Sequence, residues 1–138
     1  MLTRQQKVDS EGFSVKLQTE EAKKVPGMEK VAWFVINRQT EGNRYVDRTK
    51  KVVTHKAKKL TFNAEPAGKE EIFFFAAMQS TYGNNPAGLR FQSLKRSSVK
   101  VFVEEETSKD AETRHVKEKV GYMILWNIRE RAPPIIVP

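Results

Sequence analysis

The sequence predicts an all-β chain, an antiparallel β-sandwich of about six strands with a three-strand partial repeat before it. Three observations carry that expectation. Apolar residues alternate with polar ones along most of the chain, the period of strands whose two faces differ. Turn-forming clusters punctuate the alternating runs at "VPGM", "NAEPAGKEE", "YGNNPAG", "LKRSS" and "TSKDAETR". One two-strand phrase is written twice, over residues 13–36 and again over 99–126.

Residues 1–37 form the partial repeat. Phe13, Val15 and Leu17 share one face of a strand, and Val31, Trp33 and Val35 share one face of another. At a spacing of 86 residues, Arg4 meets Arg90, Gln6 meets Gln92, Phe13 meets Val99, Val15 meets Val101 and Glu20 meets Glu106. After a three-residue gap, Glu29-Lys30-Val31 meets Glu118-Lys119-Val120, and Trp33 meets Tyr122. A fixed-spacing echo of this kind marks duplicated structural units. The earlier copy starts at the equivalent of Leu89, so its first strands are missing. Three strands with one apolar face cannot bury that face alone. The opening "MLTRQQKVDS" lacks the apolar stretch of a signal peptide.

Residues 38–51 read as a basic linker. Eight Lys and Arg between Arg38 and Lys59, against Glu41 and Asp47, supply +6 of the net charge of +8. Lys50, Lys51, Lys56, Lys58 and Lys59 form a candidate basic patch for nucleic acid, an acidic protein face or an anionic surface. Lysines also keep sheet edges from aggregating, and that solvated role is preferred here.

Residues 52–127 read as the complete sandwich unit. Its rows are Leu60 and Phe62; Leu89 and Phe91; Val99, Val101 and Val103; and Val116, Val120, Tyr122, Ile124 and Trp126. Ile72 to Met78, "IFFFAAM", is apolar on both faces, the pattern of a central strand covered on both sides. Residues 128–138 form an extended, proline-rich tail whose Ile135-Ile136-Val137 needs cover from a neighbouring subunit or else ends the chain without order.

Composition narrows the chemistry. The apolar fraction of 38%, with eight Phe, is enough for a core, and the longest apolar run is far short of the roughly 20 residues that span a bilayer. With no cysteine there is no disulfide, thiolate metal site or cysteine nucleophile. The two histidines, His55 and His115, sit in charged stretches expected to be exposed, with no spacing that suggests a triad or a metal site. Glu104, Glu105 and Glu106 are adjacent on a strand, so they point to opposite faces and cannot gather on one cation; with Asp110 they read as a solvated strand end. No catalytic residue, metal site or cofactor is expected, and the chain reads as a non-enzyme.

The stretches "KLTFNAEPAGKEEIFFFAAMQSTYGNNPAGLRFQSLKRSSVKVFVEEE" and "HVKEKVGYMIL" carry a family resemblance. In them Phe62, the strand Ile72 to Met78, Arg90 opening the next strand, the valine-rich Val99 to Val103 and the closing Val120 to Leu125 resemble the H-type lectin domain. That resemblance implies a six-stranded antiparallel sandwich, assembly into oligomers or arrays, and a sugar site for N-acetylgalactosamine-type ligands at a subunit interface. It would place Arg90 at that site. The loop Thr81 to Gly88 adds the ring and amides a sugar site needs in Tyr82, Asn84 and Asn85. This sequence departs from the family at Glu104-Glu105-Glu106, where an aromatic and a histidine belong.

The expected function is therefore a binding or structural module that joins protein subunits into a larger assembly or a homo-oligomer. A carbohydrate-binding domain acting on glycans is the alternative. A basic accessory subunit touching nucleic acid or an acidic polymer is the least favoured, since no nucleic-acid module is visible.

Overall fold

The alternating runs become eight strands in the computed structural model, which describes residues 2–20, 22, 28–37, 42–62 and 71–126. They are β1 (Leu2–Gln6), β2 (Ser14–Gln18), β3 (Arg44–Arg48), β4 (Lys58–Thr61), β5 (Ile72–Met78), β6 (Ala87–Lys95), β7 (Ser98–Glu105) and β8 (Val120–Trp126). β1 and β2 form a hairpin; the other six make two three-stranded sheets, ordered β3-β8-β5 and β4-β7-β6. Every pairing is antiparallel. The fold is all-β and sandwich-like, as the alternation predicts.

The core explains why these runs fold this way. In β7, Val99, Val101 and Val103 point inward and are buried, while Lys100 and Glu104 on the alternate positions face water. β8 is buried along nearly its whole length because it lies between β3 and β5 and under the second sheet. Tyr45, Phe62, Phe74 and Tyr122 form a tilted aromatic cluster with centroids 6.1–6.5 Å apart, linking the two sheets. The phenols of Tyr45 and Tyr122 both donate to Asp47 Oδ2, at 3.2 and 3.3 Å. Burial, then the contacts with Tyr45 and Asp47, push the Tyr122 phenol well above its ordinary pKa, so it stays a donor.

The two hairpins are one device used twice. All five residue pairs of β1 with β2, from Leu2↔Gln18 to Gln6↔Ser14, recur 86 residues later between β6 and β7, from Gly88↔Glu104 to Gln92↔Lys100. Lys7 and Ser93, again 86 apart, both take the left-handed conformation, with φ of 52° and 54°. At Ser93 this is the bulge that shifts the β6–β7 register between Gln92 and Lys95.

Four expectations need correction. Arg44–Arg48, read as linker, is β3, paired with β8 over five residues; the six-stranded unit therefore starts near residue 44 rather than 52. Its charges hid a strand whose inward residue is the buried Tyr45. Among the described residues, β5 is an edge strand of its sheet and β8 the central one, with β3 and β5 hydrogen-bonded on either side of it. Val116 stands exposed outside β8, because the chain from 106 to 117 runs free of any ladder before Glu118 bridges Val53. Residues 31–35 join no strand, so among the described residues the partial repeat is a two-stranded hairpin plus an extended segment. A strand needs a neighbour to take up its backbone groups, and no described residue pairs with this segment. The tail 128–138 lies outside the described residues.

Candidate functional site

The hairpin β1–β2 carries Arg4 on its sandwich-facing side, and the sandwich receives that side chain completely. Both Arg4 and Glu118 are fully buried, with Arg4 Nη2 2.5 Å from Glu118 Oε1. The same Nη2 donates to the Ser80 carbonyl at 3.2 Å, and Nη1 donates to the carbonyls of Asn85 and Gly83 at 3.4 and 3.5 Å. Burying a guanidinium is tolerable only with such pairing.

Glu118 is placed by its bridge to Val53, just ahead of β8. Its Oε1 also accepts the backbone N–H groups of Tyr82 and Gly83, at 2.9 and 3.0 Å, and faces His115 Nε2 at 3.1 Å. Its Oε2 accepts the Ser80 hydroxyl, whose oxygen in turn accepts the Lys119 N–H at 2.7 Å. On its other side, His115 Nδ1 lies 2.6 Å from Glu105 Oε1. His55 supports the turn by accepting the His115 backbone N–H at Nδ1, 3.2 Å away. Arg4, Glu118, His115 and Glu105 thus alternate in sign, and the four charges cancel when His115 is protonated.

Each ionisation follows from its surroundings. Burial opposes charge on His115, but hydrogen bonds to Glu118 and Glu105 outweigh it and raise the imidazole above its ordinary 6.5. Burial likewise opposes charge on Glu118; the donors His115, Ser80 and the Gly83 N–H, with the Arg4 charge, overcome it and lower the carboxyl from 4.5 to about 2. Stability from Glu118 is complete above 4.5 and is lost as pH falls toward about 2. Stability from His115 is complete below 6.5 and fades as pH rises through its raised folded value. The urea midpoint should therefore be highest between pH 4.5 and 6.5. In His115→Gln the decline on the alkaline side should flatten, and an unchanged slope there would refute a protonated His115.

His115 is therefore buried, not exposed as its charged neighbours suggest. Glu105 turns inward to it, while Glu104 turns out to Arg90, whose Nε is 2.6 Å from Glu104 Oε2 with both side chains more than half exposed. The predicted sugar residues are dispersed. Tyr82 lines a cavity of about 290 Å³ beside Gln6, Lys7, Arg48 and Lys119, and the Lys51 ammonium covers its ring at 3.7 Å. Arg90 lines a different cavity of about 660 Å³ with Leu2, His55 and Glu104. Asn84 is exposed, and Asn85 contributes its carbonyl to Arg4.

No protein-family model, curated protein or solved structure matches the chain. What it does has to be read from the site itself.

Lys50, Lys51, Lys56, Lys58 and Lys59 are all exposed, with Lys58 and Lys59 on the edge strand β4. Among the described residues no group of three or more His, Asp or Glu is arranged to hold a metal ion. Arg4, Ser80, Gly83 and Glu118 were not singled out from sequence as a site. Their only signals were the Arg4–Arg90 echo and the Glu-Lys-Val echo at Glu118.

Proposed function

We propose that this chain is a non-catalytic β-sandwich module whose task is to join units of its own kind into a larger assembly. The observation that carries this reading is the complete burial of Arg4, borne by the first hairpin, in the polar site of the six-stranded unit. A second contact works alongside it, where Arg48 Nη1 of β3 donates to the Val8 carbonyl at 3.0 Å. A buried ion pair adds little net stability over an apolar contact, but it penalises every misaligned partner, so it suits a joint that must choose one register. The same groups argue against catalysis. The Ser80 hydroxyl faces a carboxylate and not a basic nitrogen, and His115 has both ring nitrogens engaged by carboxylates, which disqualifies it as a general base.

The test is sedimentation velocity on the full chain across a wide concentration range. Reversible, concentration-dependent association is expected. A single monomeric species at every concentration would overturn the reading.

A further inference from the structure

Residues 31–37 read Val-Ala-Trp-Phe-Val-Ile-Asn, and β8, residues 120–126, reads Val-Gly-Tyr-Met-Ile-Leu-Trp. At a spacing of 89 residues the two match in apolar character from Val31 with Val120 through Ile36 with Leu125. Their surroundings are opposite. Val120, Tyr122 and Ile124 are 0–7% exposed, whereas Val31, Trp33 and Val35 are 37–70% exposed.

The difference is one of neighbours. β8 lies between β3 and β5. Residues 31–37 have neither flanking strand among the described residues. Yet the segment lies against the start of β2, where the Trp33 ring meets Phe13 edge-on with centroids 5.5 Å apart. The equivalents of that pair, Val99 and Tyr122, both belong to the core between the two sheets. Among the described residues the segment thus keeps exposed apolar side chains and has no ladder partner on either side.

We infer that residues 31–37 are an acceptor for the β5 strand of a second unit of this kind, exchanged from its own β8, an inference that rests on the assembly role proposed above. The occupant's chemistry follows from what β5 does for β8. β5 pairs with β8 over all seven residues, is uncharged along that length, and sets Ala76 and Ala77 opposite Tyr122 and Gly121. Moved onto the open segment, the same register puts Met78 opposite Val31, Ala76 opposite Trp33 and Phe74 opposite Val35. The small Ala76 leaves room for the indole as it does for the phenol of Tyr122. Main-chain hydrogen bonds along an open strand supply affinity in this mode, and the alternating side chains supply register.

The test uses the full chain and a synthetic peptide of residues 70–80, with amide hydrogen exchange followed segment by segment. The peptide should slow exchange over 31–37 saturably, by about tenfold or more. A peptide of the same residues in scrambled order, and one N-methylated on the edge facing the acceptor, should leave exchange there unchanged. No slowing by the native peptide, or equal slowing by the scrambled one, overturns the inference. If that happens while sedimentation still shows association, the acceptor strand is wrong and the assembly role stands. If association is absent too, both fall.

Discussion

Glu118→Ala should lower the free energy of unfolding by about 3–5 kcal/mol, the range for removing one partner of a buried ion pair. Among the described residues the carboxylate is the only anion touching Arg4 in a fully buried site, and it also accepts from Ser80, from the Tyr82 and Gly83 N–H groups and from His115. Its loss leaves two cations close together with Glu105 alone to balance them. Buried donors without acceptors add their own desolvation cost. Urea titration of the variant and the parent is the measurement, and a change below about 1 kcal/mol would show that the site is hydrated and not a closed joint. A cycle with Arg4→Ala separates the joint from the local fold: the two substitutions together should cost clearly less than the sum of each alone.

Gly83→Ala should be nearly as damaging for a purely steric reason. A Cβ at Gly83 would stand 2.4 Å from His115 Cε1 and 2.8 Å from Nε2, closer than real atoms approach. The ring cannot step aside freely, because Glu118 and Glu105 hold it from both nitrogens. Overpacking alone costs about 1–3 kcal/mol, and a displaced ring forfeits its ion pairs as well. Gly12→Ala is the control, since nothing lies within 4 Å of a Cβ there. Equal melting temperatures for the two variants would contradict the close packing of His115 on the 83 turn.

How much was legible in the sequence depended on where each strand's cover came from. Val99, Val101 and Val103 were readable because water wets the opposite face of β7 and the period of two survives. β3 was not, since its five residues offer only Tyr45 and Val46 among charges, and what makes it a strand is hydrogen bonding to β8 from 73–81 residues away. The repeat was legible as matched letters, and the shared register of the two hairpins is its physical content. Burial of Arg4 against exposure of its counterpart Arg90 was not legible, because a neighbouring unit decides it and the two residues are chemically identical. His115 misled for a related reason. A charged stretch predicts solvent only while its counter-ions are local, and here one of them comes from β1.

The donor and the acceptor of the Arg4 contact are different surfaces, one on a hairpin and one at the foot of a sandwich. In the assembly proposed above such a contact would have polarity, with a head on one unit that plugs in and a tail on the next that receives. Repeated, it propagates in one direction, and growth ends only by closing on itself or by meeting a terminal unit whose socket is already filled.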